Sequence, residues 1–581
     1  MLHRKEEMVM WEMNEVQQQL RIINGKQAPE LLITNATYLH SIYKKWVEGN
    51  IWISGNRIIY AGKDMPAITE GTEIVDAAGK KIVPGYIEPH VHPFLLYNAE
   101  TLADYAASRG TTTFIADNLM FFLTLSNETS FTILDQFANL PYSFYWWTRF
   151  DSQTAHQREK ELFKPESVAE WLKRPDIRMG GELTAWPRLV AGDSDMFTSL
   201  TAAKAAGVKI EGHFPGASDK TLARMKLLGA DGDHEAMTVE EVEARLLHGY
   251  GVTLRHSSIR PDLPDLLKGL VERGHDVFDH LMMTTDGATP SFYSDGVMDK
   301  CIQVALDAGV PPIDAYQMAS YNIARYYDMA DLHGIIATGR YASLNILEDE
   351  YNPVPTDVLS KGNWLRRNGE SSGTLGAVDW SAVPAFAPLF ELEESDFRFD
   401  SPIGIEMVND VITKPYEVTV DTTGNTLSED HDESFVMLID RFGEWRVNAI
   451  IKGFATKVQG LASSFSNTGD IILIGKDKRE MLRAFDEMKR IRGGMVLTEN
   501  GTTVATIPLP LGGGGSLEPL DILIGQQVDL VEALAARGYE YGDVVYTFLF
   551  LQSTHLPYIR ITQLGLYDVM KNEVLVPFTK R

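Results

Sequence analysis

The stretch "VPGYIEPHVHPFLLYN" at residues 83–98 sets His90 and His92 one residue apart at the end of an apolar run. Alternate residues of an extended chain project to the same face, so both imidazoles point one way, as two ligands of one ion must. The spacing alone also fits two neighbouring surface or packed histidines. Further donors stand elsewhere at the ends of short apolar runs. "RMGGELTAWP" carries Glu182, "VKIEGHFPG" carries His213, "GADGDHEAMT" carries His234 and "DHLMMTTDG" ends on Asp286 before a glycine. Singly, each has an ordinary reading as a loop, turn or surface-pair residue. Jointly, His90, His92, Glu182, His213, His234 and Asp286 are the nitrogen and oxygen donors that two divalent ions sharing a carboxylate bridge require. His256, in "TLRHSSIRPDL", also ends a strand-like run and, with Arg255 and Trp186, is a candidate for holding substrate. His275 and His280 are weaker candidates, with a core or supporting role expected for His280.

Such donors need a scaffold that gathers them. From about residue 86 to 332, short apolar runs alternate with helical stretches such as "DKTLARMKLLGA" and "TVEEVEARLLHGYG". Strand–helix alternation over roughly 250 residues predicts a (β/α)8 barrel, whose functional groups sit at the C-terminal ends of the strands. A doubly wound open sheet is the alternative, but no glycine-rich phosphate turn follows the first strand. Residues 30–85 alternate β-like runs with turns, and 333–400 begins with a β-like return, "HGIIATGRYASLNILEDE". These two stretches are expected to form a small β-sandwich domain. Residues 401–581 read as a separate α+β domain, in which "LGGGGSLEP" resembles a flexible linker. Residues 1–29 are charged throughout and lack the apolar core of a signal peptide, so an amphipathic helical segment is expected.

Composition narrows the function classes. The chain has 581 residues, 80 acidic against 53 basic, for a formal charge of −27. That charge repels phosphates and argues against nucleic-acid binding. No stretch approaches the ~18 apolar residues of a membrane span, and a cytoplasmic protein is expected. A single cysteine, Cys301, excludes a disulfide framework and any multi-cysteine zinc site.

In order and spacing, these segments resemble the adenine deaminase family of the amidohydrolase superfamily, over nearly the whole chain from about residue 30. "VPGYIEPHVH" is similar to its first-strand motif, "GGEL" to the bridging-glutamate segment and "EGHFPGASDKTLARMKLLGADGDHE" to the stretch with two single histidines. "TTDGATP" resembles the last-strand aspartate segment, and "VNAIIKGFATKVQGLASSFSNTGDIILIG" the C-terminal domain. The resemblance implies hydrolysis of adenine to hypoxanthine and ammonia. His90, His92 and Asp286 are assigned to one ion and His213 and His234 to the other. Glu182 would bridge them, and Asp286 would shuttle the proton. Manganese or iron is implied, with zinc also compatible with the donors. A purine or related heterocycle is the implied partner, and homo-oligomers are compatible with the sequence. Three stretches depart from the family pattern. Pro93–Leu96 stands where Ile-Glu-Ser-Ser is usual, Asn118–Met120 for Pro-His-Glu, and Ser464–Asn467 for His-Asp-Ser-His. All three lose ionisable groups while the expected ligands remain. An altered substrate pocket follows, with another amino-purine, a cyclic amide or amidine, or a catalytically silent member as alternatives.

Overall fold

The computed structural model of the protein describes residues 13–373 and 376–581. Its centre is an eight-stranded parallel barrel. The strands are β1 (Tyr86–Val91), β2 (Thr111–Ala116), β3 (Ser143–Thr148), β4 (Ile177–Leu183), β5 (Lys209–Gly212), β6 (Gly232–Asp233), β7 (Gly251–Arg255) and β8 (Leu281–Thr284), paired in chain order. Covered by helices outside and side chains inside, β1, β2 and β3 are buried at every residue. That two-sided burial is why they read as near-continuous apolar runs.

The seam between β8 and β1 is closed by side chains as well as by a bridge between Val91 and Asp286. Glu88 accepts from the Thr284 hydroxyl at 2.6 Å, the Thr285 amide at 2.9 Å and the Thr285 hydroxyl at 2.7 Å. Thr284 Oγ1 also lies 2.6 Å from the His90 carbonyl oxygen, a second acceptor for the same hydroxyl hydrogen. Burial pushes the Glu88 carboxyl up to about 7, against the pull of these donors. The first and last metal-candidate strands are thereby tied together.

Residues 31–84 and 344–371 build one nine-stranded sheet, in which Leu344–Leu347 runs antiparallel to Lys81–Pro84. The return strand pairs with the early ones as the sequence suggests, but as one continuous sheet. Its last strand is Glu370–Ser371. Beyond it, Phe386, Leu392, Phe397 and Phe399 pack with Phe435, Met481 and Phe485 of the following domain. The chain therefore leaves the small domain well before residue 400, because its aromatic residues find their burial in the next core.

That next core centres on a second nine-stranded sheet, eight strands of which lie within Ile403–Pro508 and the ninth, Thr579–Lys580, at the far end of the chain, covered by the helix Lys478–Arg490. The glycine run at 511–519 is a packed element: the Ser516 amide donates to the Leu96 carbonyl at 2.7 Å, and Asn98 Nδ2 donates to the Ser516 carbonyl at 2.8 Å. Glycines serve there because a Cβ at Gly513, with φ +87°, would collide with the Phe386 ring. At the N-terminus, the helix Met13–Ile23 buries Ile22 against Leu32, Trp52 and Ile59. The remainder of the expected helical segment, 1–12, lies outside the described residues. Among the described residues, no helix is long and apolar enough to cross a membrane.

Candidate metal centre

Each donor stands at the C-terminal end of a barrel strand. His90 and His92 flank the last residue of β1, Glu182 is next to last in β4, and His213 and His234 immediately follow β5 and β6. Asp286 lies two residues past β8 with φ +52°, a left-handed conformation that aspartate tolerates better than larger residues. Strand ends separated by up to two hundred positions are thus brought to one rim.

The six side chains meet. His92 Nε2 lies 3.1 Å from Asp286 Oδ1 and 3.6 Å from Glu182 Oε2. The other Glu182 oxygen is 2.5 Å from His213 Nδ1 and 3.5 Å from His234 Nε2. His90 Nε2 lies 3.9 Å, and His234 Nε2 4.0 Å, from Asp286. Three triplets hold all their donor atoms within 4.8 Å: His90–His92–Glu182, His90–His234–Asp286 and Glu182–His213–His234. Glu182 belongs to two of them, one carboxylate oxygen turned to each side.

Hydrogen bonding shows that these groups fit a cation. Both ring nitrogens of His90 are buried without a hydrogen-bond partner, while Nδ1 of His213 and Nε2 of His234 face the Glu182 carboxylate. Buried polar atoms are rarely left so, and free imidazole lone pairs beside carboxylates are what divalent metals bind. The electrostatics agree. Burial would lower His92, but Asp117 and Asp286 raise it to about 9. Burial likewise opposes ionisation of His234, which Glu182 and Glu211 nevertheless hold well above its ordinary value. A pocket that charges its own imidazoles seeks positive charge, and a metal would displace those protons.

A surrounding layer orients the donors. Asp117 Oδ2 is 2.8 Å from His92 Nδ1, and Glu211 Oε1 is 3.4 Å from His234 Nδ1. Arg255 Nε lies 2.8 Å from Asp286 Oδ2 and its Nη1 donates to Glu235 at 2.7 Å. Arg260 also pairs with Glu235. Arg149, fully buried, has Nη1 3.7 Å from Glu182. Burial would raise Asp286, yet Arg255 and His92 hold it well below the usual carboxylate range. Of this layer only Arg255 was singled out from sequence, as a substrate group. Asp117 was legible in principle, since it ends β2 as the ligands end their strands. Glu235 adjoins His234, but nothing local announces its direction.

Above the donors is a cavity of about 180 Å³. The C-terminal domain roofs it with Tyr546, Phe550 and His555, none of which sequence reading identified. His555 sits edge-on to His213 at 5.5 Å between ring centres, and burial, with the His213 charge, lowers it to about 4. Arg255 lines this cavity, whereas Trp186 and His256 do not. Trp186 packs edge-on against Phe214, and the His256 ring against Phe292. His275 pairs with Glu243 at 2.6 Å, away from the cavity, and His280 ends the short 3-10 turn before β8. The three stretches that depart from the family pattern contribute Phe94, Asn118, Met120 and Ser464–Asn467 to one neighbouring cavity.

Comparison with known proteins follows the same architecture. Residues 82–365 match the amidohydrolase family, and residues 410–573 match the adenine deaminase C-terminal domain. A Halalkalibacterium halodurans protein named "Putative adenine deaminase" is 48% identical over 99% of this chain and 100% of its own length. A Bacillus subtilis protein of the same description is 49% identical over 98% of this chain and 99% of its own. Adenine deaminase 3 of Rhizobium meliloti is 28% identical over 94% of this chain and 96% of its own. With relatives this similar along its whole length, the chain belongs to the adenine deaminase family of the amidohydrolases.

Proposed function

We propose that the protein hydrolyses adenine to hypoxanthine and ammonia at a divalent metal centre. The observation that carries the reading is the placement of Glu182, with one oxygen toward His92 and the other toward His213 and His234. His90, His92 and Asp286 would hold one ion, His213 and His234 a second, with Glu182 common to both. The thiolate-free donor set suits manganese, iron or zinc. Such an ion, when bound, makes hydroxide available by lowering the pKa of water from 15.7 to about 7.

The chain's own groups do the rest. Asp286 stands where it can take the proton from the attacking water and deliver it to the purine ring or the departing ammonia. Arg255 fixes one Asp286 oxygen at 2.8 Å, leaving the other on the His92 side for that transfer. Tyr546 and Phe550 line the cavity, and water displaced from it by a bound purine would strengthen every charge interaction within it. Overall, water and adenine exchange one C–N bond for one C–O bond, and the amino group leaves as ammonia.

The test is ammonia release from adenine by protein stripped with a chelator and then resupplied with manganese, iron or zinc. Release that returns with metal supports the reading. Fully loaded protein with no release from adenine removes it, and ammonia from another amino-purine or cyclic amidine would favour that substrate instead. The loss of ionisable groups in the departing stretches is the feature that favours this second reading.

A further inference from the structure

The wall of the metal cavity carries two hydrogen-bond acceptors that the metal centre does not use. Gln153 lines the cavity from the segment after β3, and its Nε2 donates to Glu182 Oε2 at 2.9 Å. A carboxylate only accepts, so this bond fixes which end of the amide is nitrogen. Gln153 Oε1 is therefore turned from Glu182, one amide width away, and has no protein partner among the described residues.

His555 supplies the second acceptor. Its Nδ1 lies 3.3 Å from the Gln153 carbonyl, which can only accept, so Nδ1 carries the hydrogen. Burial, with the positive charge at His213, keeps that ring neutral. Its Nε2 then holds a lone pair that no described protein group takes up. Neither acceptor is sealed in the interior, and both residues are partly exposed and line the same cavity. Their two segments are stitched together alongside. The Thr154 hydroxyl donates to the Gln552 carbonyl at 2.6 Å, and Gln157 Nε2 to the Gln563 carbonyl at 3.0 Å.

We propose that Gln153 Oε1 and His555 Nε2 accept the two N–H bonds of the substrate's amino group, and so select a heterocycle whose leaving group is an N–H donor. The inference rests on the deaminase reading and deepens it. Attack beside Glu182 and Asp286 puts the reacting carbon, and hence its substituent, next to Gln153. A conjugated amino group brings two donors to two acceptors, whereas a halogen brings none. As the amino group is protonated it gains a further N–H and positive character, and hydrogen bonds to a charged donor are roughly twice as strong as neutral ones. The pair therefore holds the departing group more tightly than the arriving one, which is the kind of contact that raises kcat. Neither residue gives or takes a proton. The C–N electron pair leaves with nitrogen, and the proton that completes ammonia comes by way of Asp286.

The experiment compares adenine with 6-chloropurine, whose leaving group has no N–H, on metal-loaded protein. His555→Phe, which keeps a ring but no acceptor, lowers the ratio of kcat/KM for adenine to that for 6-chloropurine at least tenfold. His555→Gln, which restores an acceptor, recovers at least threefold of that loss, and Gln153→Met lowers the ratio in the same direction. Metal content, measured on each variant, stays at the wild-type value for the His555 variants. Equilibrium dialysis of chelator-stripped protein reads the pair apart from turnover: adenine is retained more tightly than 6-chloropurine, and His555→Phe abolishes the preference. Turnover of adenine with a ratio that neither His555→Phe nor Gln153→Met moves overturns the assignment and spares the deaminase reading. A retention preference lost in His555→Phe, with no ammonia from adenine, keeps the acceptor pair and overturns the deaminase reading. Equal retention together with no turnover overturns both.

Discussion

Asp117 Oδ2 lies 2.8 Å from Nδ1 of His92, which leaves Nε2 of the same ring facing Glu182 and Asp286. One carboxylate from β2 therefore sets the direction of a donor from β1. Arg149, with Nε 3.4 Å from the other Asp117 oxygen, steadies the pair from beneath.

Removing that support should weaken the metal before it disturbs the fold. Asp117→Ala is expected to lower metal affinity by about 10–100-fold, the usual effect of losing a ligand's orienting partner. Competition against a chromophoric chelator measures it. Affinity equal to wild type would show that Asp117 does not position the ring.

The ligands themselves should govern stoichiometry. Elemental analysis is expected to find about two ions per native chain and a clear loss in the His90→Ala, His92→Ala double variant. Metal retention should also stabilise the fold, by about 4 kcal/mol at a free-ion concentration a thousandfold above Kd. Thermal melts with and without chelator read this linkage, and superimposable curves would contradict it.

Close packing behind His234 gives a third test. A Cβ added at Gly232 would collide with Glu211 Oε2 and the Tyr326 hydroxyl. Glu211 is the carboxylate beside His234 Nδ1, so Gly232→Ala should displace that ring as well as strain the barrel. A stability loss of roughly 1–3 kcal/mol, together with reduced metal content, is expected from denaturant titration and elemental analysis.

A fourth prediction concerns pH and lies apart from the metal. Burial raises Asp470 to about 6, although Thr468 and Gln563 donate to it and Arg441 opposes its neighbour Asp440. The folded state thus binds this proton more tightly than the unfolded chain. Its contribution, roughly 3 kcal/mol at most, is fully present below about pH 4 and is lost as pH rises through about 6. Asp470→Asn should therefore be more stable than wild type at pH 7, with the difference closing toward pH 4. Urea titrations at both values check it, and an equal difference at both would refute it.

Much of the centre was legible from local sequence. Apolar runs buried on both faces marked the barrel strands, and polar residues just past them marked the rim. His213, for example, needed only "VKIEG" before it and Pro215 after it. The same logic misled at His256, which also ends a strand but turns to Phe292, because strand ends fix a residue's height in the barrel and not its side-chain direction. It misled again at 511–519, where glycine content suggested a linker. There the absence of side chains permits close packing against Leu96 and Phe386.

The sequence by itself determined the kind of donors available, their order along the chain and the strand ends that carry them, since burial and periodicity are local properties. Only the tertiary structure decided that Arg149, Arg255 and Glu211 stand behind those donors and that Tyr546, Phe550 and His555 cover them. The reason is physical: a side chain's partners across hundreds of residues depend on how whole sheets and helices pack. A buried charge or a roofing ring leaves no periodic trace in its own neighbourhood.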